Sequence, residues 1–304
     1  DLHSFPTRRS SDLRTSLAKY PAVFNDVYVN MVRAGEAGGI LDDILKRLAL
    51  QQEKNASMRK KIKSAMIYPI VLLVIAVAAF LGMMIFVIPQ IGKMMQDLGG
   101  PDAELPMLTQ IMLSVSDLMV KYGLFVLPVI VAGIVFLLRW LKTPKGRHIF
   151  HRFVLKVPAV GAIVKKVAVA RFARTFSALM GSGAAVLEAL EVTARAVGNV
   201  VYEDVLHDAA KQVENGKQLS TIISKSDLFP PIVAQMLSVG EETGQTDVVL
   251  VKVADFYEEE VDVAIDGISS VIEPVMIVLM GGVIGLVAVG VMMPIAGLAS
   301  SVKG

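Results

Sequence analysis

Four carboxylates recur in the sequence at intervals of four, three and four residues: Asp255, Glu259, Asp262 and Asp266. Residues three and four apart lie on one face of a helix, and carboxylates are the ligands that hard divalent cations prefer. Four carboxylates spread over about three turns do not converge on one ion. Three interpretations stay open: a solvated face, a docking stripe for a basic partner, and a weak divalent-cation site.

A Gly-Glu pair followed by a further glycine occurs twice. The copies are Gly35-Glu36 with Gly39, and Gly240-Glu241 with Gly244. Glycine at a helix end takes the left-handed conformation that closes the helix, so the motif predicts a tight turn between two helices. We expect the acid to lie near the N-terminus of the next helix, where negative charge is stabilised. The alternative is that Glu36 and Glu241 form a cation or partner site.

Basic residues on predicted helices are the remaining candidates for contacts. Arg171 and Arg174 stand one turn apart on a predicted helix, and we expect a structural or partner-facing role for them. Five basic residues and no acid lie between Lys54 and Pro69. This basic helix could pair with the acidic one described above, or meet anionic lipid headgroups.

Signatures of catalysis are absent from the sequence. It has no cysteine, which excludes a thiolate nucleophile and a cysteine-ligated metal. It also lacks the phosphate-binding GxxxxGK[ST] pattern, GxSxG and HExxH. The net charge of +2 gives no reason to expect nucleic acid. We therefore expect no enzyme activity, no catalytic residue, no metal site and no cofactor.

Long apolar runs are the elements that must position these residues. The 304 residues are 54% hydrophobic and only 19% charged, against about 25% charged in ordinary soluble domains. About 20 apolar residues cross a bilayer as a helix. We therefore predict transmembrane helices at 67–90, 121–141 and 271–299. The central parts of these helices lie in the runs 70–88, 122–138 and 274–302, which contain no charged residue. Transporters and channels usually need such residues within the membrane, so a small transporter or channel subunit is only an alternative from another class.

Small residues in the third predicted span form a possible packing surface. Gly281 and Gly285 are four residues apart, with Gly282 beside the first. Such spacing lets two helices approach closely in lipid. The surface could serve packing inside the chain or association between chains.

Basic residues beside the spans predict the orientation. Both basic flanks, at the end of 13–66 and in 142–166, should face the cytoplasm, because cytoplasmic loops are enriched in Lys and Arg. The segment 91–120 is acidic on balance and is predicted to be an extracytoplasmic loop. The prediction is an N-terminus inside, a C-terminus outside and a short tail at 300–304.

An internal repeat organises the chain. Met31–Gly39 aligns with Met236–Gly244 at an offset of 205 residues, and this offset holds without gaps for about 65 residues. No stretch alternates as a strand does. We predict an all-α membrane protein with two tandem cytoplasmic antiparallel helical-bundle domains, at 13–66 and 167–270, of which the first is truncated. Residues 1–12 lack an apolar core and are interpreted as a non-native leader.

The repeated Phe…Met-x-x-x-Gly-Glu-x-x-Gly pattern, each copy followed by a span with proline near its start and end, resembles the GspF/PilC family of inner-membrane platform proteins. The stretch from Arg171 to Gly183 is also similar to the start of the family domain. The tail from Ile272 onward looks closer to members that assemble type IV pili than to type II secretion members, which are the alternative.

This resemblance implies a scaffold in the bacterial inner membrane. It implies coupling of a cytoplasmic hexameric ATPase to the insertion or removal of pilin or pseudopilin subunits. It further implies contact with membrane lipids and other inner-membrane alignment proteins, and a homodimer or higher oligomer.

Overall fold

The computed structural model describes residues 11–20, 23–99, 107–158 and 160–301, and within these ranges every regular element is helical. The all-α prediction is therefore confirmed for the described residues. The helices are α1 (Ser11–Ala18), α2 (Asp26–Gly38), α3 (Leu41–Gly82), a π-helical turn (Met83–Val87), α4 (Ile88–Gly99), α5 (Met107–Leu141), α6 (Pro144–Val154), α7 (Val160–Met180), α8 (Val186–Val197), α9 (Val200–Glu214), α10 (Leu219–Ile223), α11 (Pro231–Thr243) and α12 (Thr246–Ser301).

The chain divides into two compact units. The first comprises Asp1–Ile62 and Pro144–Asp266, and the second comprises Lys63–Thr143 and Gly267–Gly304. Residues 1–10 of the predicted leader and 302–304 of the predicted tail lie outside the described residues.

An aromatic cluster forms the centre of the second repeat in the first unit. Phe229 packs edge-on against Phe172 and Tyr202, with ring centroids 5.2 and 5.3 Å apart. The hydroxyl of Tyr202 donates to the carbonyl of Leu228 at 2.7 Å. Burial raises the pKa of Tyr202, so the hydroxyl keeps this proton throughout the physiological range. The cluster joins α7, α9 and the segment before α11.

Glycine and asparagine define the helix ends here. Gly198 closes α8 at φ 83°, and the side chain of Asn199 accepts a hydrogen bond from the N–H of Val201 to begin α9. This is the combination of a left-handed C-terminal residue and an N-cap that separates two helices with almost no loop.

The segment predicted as the basic linker, 142–166, is largely helical. It contains α6 and the start of α7, which begins at Val160 rather than near the predicted 167. Ile163 is buried, which extends the apolar face of α7 backwards. The ring nitrogen Nδ1 of His151 accepts a hydrogen bond from the N–H of Val200 at 3.0 Å, which fastens α6 to the start of α9.

The two repeats have the same backbone where they align. The bounds of α2 and α11 differ by 205 residues at both ends, and α3 and α12 begin at positions with the same offset. Gly39 and Gly244, which follow α2 and α11, both have φ 69°. The repeat found in the sequence therefore corresponds to a repeated helix–turn–helix.

One helical segment in the described part of the chain, Leu41–Met94, is long and apolar enough to cross a membrane. Val131–Leu141 and Pro274–Gly290 are shorter apolar helical segments. The second and third predicted spans therefore stay predictions.

Helices of the second unit extend beyond the predicted spans. The segment 91–120, predicted as a loop, is helical in its described residues, because α4 ends at Gly99 and α5 begins at Met107. Charged residues end an apolar run but do not end a helix, and hydropathy alone misses this continuation. Met84, Ile88 and Met112 form a buried cluster between the helices.

A π-helical turn interrupts the backbone pattern within this unit. A π turn frees a carbonyl from ordinary helical bonding, and the hydroxyl of Ser116 donates to the carbonyl of Met84. Thr109 similarly donates to the carbonyl of Gly290 at 3.0 Å. The second unit therefore uses small hydroxyl side chains to join its helices.

Candidate functional site

The first glycine of each Gly-Glu motif lies where two helices cross closely. A Cβ atom on Gly240 would lie 2.8 Å from the Cα of Thr246, and one on Gly35 would lie 2.8 Å from Cγ1 of Ile44. Real Cβ atoms do not approach other atoms this closely, so both positions favour glycine. The last glycine of each motif supplies the left-handed turn.

The carboxylate of Glu241 lies at the start of α10, which precedes it in the chain. It accepts hydrogen bonds from the N–H groups of Leu219, at 2.7 Å, and Ser220, at 3.3 Å, and from the Ser220 hydroxyl. We expected contact with the next helix, α12. That expectation considered only sequence neighbours, whereas the fold brings the unpaired N–H groups of α10 beside the last turn of α11.

Glu36, the matching acid of the first repeat, is half-buried. The positions equivalent to Leu219 and Ser220 are 14 and 15, and these lie within α1 rather than at its start. The shared motif thus has two local environments.

Arg174 is the centre of an ion cluster between α7 and α12, in which Arg174 and Glu258 are largely buried and Asp255 is half exposed. The side chain of Arg174 is about one-tenth exposed, and its Nε donates to Oε1 of Glu258 at 2.9 Å while Nη2 donates to Asp255. Burial lowers the pKa of Arg174, but the bonds to Glu258 and Asp255 outweigh this and raise it. The guanidinium therefore stays positively charged and lies largely buried between α7 and α12.

Lysines of α3 extend the cluster. Nζ of Lys54 lies 3.2 Å from Oε2 of Glu258, and Lys61 pairs with Asp262. The basic helix and the acidic helix thus pair electrostatically within the first unit, which is one of the two alternatives that the sequence leaves open.

The predicted acidic stripe is divided by these contacts. Asp255 and Asp262 are partly exposed but form ion pairs within the unit, whereas Glu259 and Asp266 are exposed and form no ion pair among the described residues. Among the described residues, no three histidine or acidic side chains are grouped so that they could hold a metal ion.

Glu258 is a central residue that our sequence interpretation missed. It lies on the same side of α12 as Asp255 and Asp262 and next to the buried Ala254, Tyr257 and Val261. An acid beside the apolar seam of a helix needs a partner. This position was the signal that could have identified it.

Arg171 lies at the edge of a cavity, whereas Arg174 is enclosed. Nη1 of Arg171 donates to the carbonyl of Val197, at the end of α8, with a distance of 3.4 Å. The cavity has a volume of about 400 Å³. We call it the polar hollow; its lining includes Asn25, Gln51, Asn55, Arg59, Arg171 and Thr175.

A second cavity occupies the matching place in the other repeat. It has a volume of about 1150 Å³, and we call it the wide groove; its lining includes Lys166, Val169, Leu228, Pro230, Phe256 and Tyr257. At the offset of the repeat, Gln51 corresponds to Phe256 and Asn25 to Pro230. The two cavities therefore lie at equivalent positions of the repeat and have different chemistry.

Gly281 and Gly285 have open surroundings in the second unit. A Cβ at either position would meet nothing within 4 Å among the described residues. No described helix of the same chain packs on this surface, so the alternative of association between chains stays a prediction.

Comparison with known proteins decides the family. The sequence profile of the family described as "Type II secretion system (T2SS), protein F" matches residues 7–89 and 172–294. These ranges contain both Gly-Glu motifs and the ion cluster. The chain belongs to this family. The family resemblance found in the sequence is therefore confirmed. The match to the protein F family begins at residue 7, within the segment that we interpret as a leader.

Curated relatives in the protein F family align over most of the chain. The type IV pilus assembly protein PilC of Myxococcus xanthus is 39% identical over 97% of this chain and 70% of its own length. The protein of the same name from Thermus thermophilus is 42% identical over 90% of this chain and 67% of its own length. The type II secretion system protein F of Aeromonas hydrophila is 33% identical, over 96% and 74% respectively.

Proposed function

We propose that this chain is the inner-membrane platform of a type IV pilus assembly machine, coupling a cytoplasmic hexameric ATPase to the insertion or removal of pilin. The observation that carries the proposal is the similarity over nearly the whole chain to proteins named for pilus assembly, at 39% and 42% identity. No step of this role requires chemistry by the platform itself, and we propose a scaffold rather than an enzyme.

The proposed arrangement follows the apolar runs and their basic flanks. The domains at 13–66 and 167–270 and the segment 142–166 lie in the cytoplasm, with spans at 67–90, 121–141 and 271–299. The segment 91–120 lies outside the membrane, as does the C-terminus. The chain acts as a homodimer or higher oligomer, and Gly281 and Gly285 provide a helix-packing surface between copies.

The exposed acids of the stripe are the proposed contact for the ATPase. Glu259 and Asp266 face solvent, whereas Asp255, Asp262 and Arg174 are occupied by internal ion pairs. Exposed carboxylates suit a basic partner surface, and such complementarity steers association.

Binding of the motor ATPase to the full chain in nanodiscs tests this function. We expect saturable binding and a raised rate of ATP hydrolysis, both reduced when Glu259 and Asp266 are changed to lysine. The matched control is Glu214→Lys, an exposed acid at the end of α9. Normal surface filaments after deletion of the gene, together with absence of ATPase binding, would reject the proposal.

A type II secretion platform is the second candidate, because proteins F of secretion systems also match. The secretion protein of Aeromonas hydrophila is 33% identical, which is lower than the identity to the pilus proteins above. Deletion of the gene distinguishes the two, since loss of exported proteins with intact pili would favour secretion.

A further inference from the structure

The polar hollow is lined by arginine and amide side chains, and its described lining contains no acidic side chain. Arg59 of α3 and Arg171 of α7 both line it. The nearest acid on α2, Asp26 in its first turn, is bound by Nε of Arg195 at 2.8 Å. The two guanidinium groups therefore share the hollow without a neutralising carboxylate.

The electrostatics of Arg171 agree with this arrangement. Burial lowers the pKa of Arg171, and the positive charge of Arg59 lowers it further. Arg174, one turn away, has two carboxylates and a raised pKa. Among the described residues, the hydrogen-bond acceptor of Arg171 is the carbonyl of Val197, which compensates only part of the full positive charge.

Gln51 supplies an independent observation. Its side chain is 7% exposed and lines the hollow, and its Oε1 makes no hydrogen bond. Its Nε2 donates to the hydroxyl oxygen of Thr175 at 3.3 Å. A half-turn of the amide lets Oε1 accept from that hydroxyl and leaves Nε2 as an unpaired donor on a residue that lines the hollow. A buried amide with an unmatched end indicates a missing partner.

We propose that the polar hollow is a binding site for a phosphate group. Guanidinium groups bind phosphate oxygens through paired, charge-assisted hydrogen bonds, and the amide of Gln51 adds a neutral donor. A volume of about 400 Å³ accommodates the phosphate together with a small organic body, since ligand sites begin at about 300 Å³. The site is independent of the ATPase contact proposed above.

The site belongs to the first repeat alone. Arg59 corresponds to Ala264, and Gln51 corresponds to Phe256. The wide groove therefore lacks the equivalent guanidinium and amide. A phosphate ligand would bind one repeat and leave the other empty.

Titration of the full chain with inorganic pyrophosphate tests the site. The chain is solubilised in a phosphate-free maltoside detergent at about 0.15 M salt, where long-range attraction is screened. We expect saturable binding by calorimetry, weakened about tenfold or more by Arg171→Gln and by Arg59→Gln. Lys60→Gln is the matched control, because it removes an exposed charge beside Arg59. Arg59 is itself exposed, so its variant also shows whether a loss at Arg171 reflects misfolding.

A second arm identifies the source of the phosphate. The same titration in nanodiscs containing phosphatidylglycerol shows competition if lipid headgroups occupy the hollow, and unchanged affinity if the ligand is soluble. Absence of saturable binding in detergent and of any competition in nanodiscs would overturn the proposal. Equal loss in the Lys60→Gln variant would also overturn it, because binding would then depend on overall charge.

Discussion

The two helix–turn–helix repeats share a backbone and differ in their side-chain chemistry. Both have a left-handed glycine with φ 69° and a first glycine at a close crossing. The long helix of the first repeat is basic and that of the second is acidic, and they form ion pairs with each other. The two repeats thus present equivalent helices of opposite charge, and one binds the other.

The largest expected effect comes from removing Arg174, which is buried on α7 and bonded to α12. Arg174→Met leaves Glu258 without its main partner, and we expect a loss of about 3–5 kcal/mol in the free energy of unfolding. Urea unfolding in detergent, followed by circular dichroism, measures it. Arg195→Met is the control, because its pair with Asp26 is exposed and should contribute no more than about 1 kcal/mol. Equal losses would show that Arg174 and Glu258 are not buried in solution.

The paired glycines provide the next test. Gly240→Ala forces a Cβ against the backbone of Thr246, and we expect a loss of about 1–3 kcal/mol. Gly35→Ala should cost less, because its contact is mainly with the side chain of Ile44, which can move. Thermal unfolding of both variants measures the order. A larger effect at Gly35 would contradict the crossing geometry.

The paired acids test whether the repeats use the motif differently. Glu241→Ala removes the acceptor at the start of α10, and we expect a loss of about 1–2 kcal/mol. Glu36→Ala should have a smaller effect, since the equivalent positions lie inside α1. Hydrogen exchange at Leu219 and Ser220 should increase only in the first variant. Increased exchange at those two sites in the Glu36 variant would rule out this local explanation.

A double-mutant cycle at Lys61 and Asp262 examines the pairing of the two long helices. Both side chains are partly exposed, so we expect a coupling energy below about 1 kcal/mol that decreases with salt. Reversing either charge alone should lower the free energy of unfolding, and reversing both together should restore part of the loss. A coupling energy of zero at low salt would show that this pair does not contribute to the contact between the two long helices.

The smallest effect concerns pH and the contact between α6 and the start of α9. Burial lowers the pKa of His151 from the ordinary value of 6.5, and Arg147 lowers it further. The unfolded chain therefore binds the proton better, so the stabilisation is complete above pH 6.5 and is lost as the pH falls below it. His151→Asn keeps an acceptor for Val200 without titrating. Its thermal midpoint should fall less between pH 7.5 and 5.5 than that of the unmodified chain, and an equal fall would contradict this assignment.

Local signals predicted much of the second repeat. Gly198 and Gly216 have positive φ and follow the ends of α8 and α9, and Pro230 and Pro231 stand at the start of α11. The repeat offset also predicted the matching turns. These features depend on residues close in sequence, where steric preferences act directly.

Long-range contacts could not be predicted in the same way. Gln51 meets Thr175 across 124 positions of sequence, and no local pattern indicates that pairing. Glu258 was overlooked because the regular spacing of its neighbours suggested a simpler face. Helix α6 and the helical part of 91–120 were missed because apolar periodicity is weak where charges are frequent.

The π-helical turn at Met83–Val87 has a consequence for engineering of the second unit. One surplus residue in a turn rotates everything downstream by about 100° around the helix axis. Ile88 and Gly92 thereby acquire the phase that directs them towards Met112 and Leu113. Deleting a single residue from this turn would restore ordinary winding, turn those positions away and leave the Ser116 hydroxyl without its acceptor.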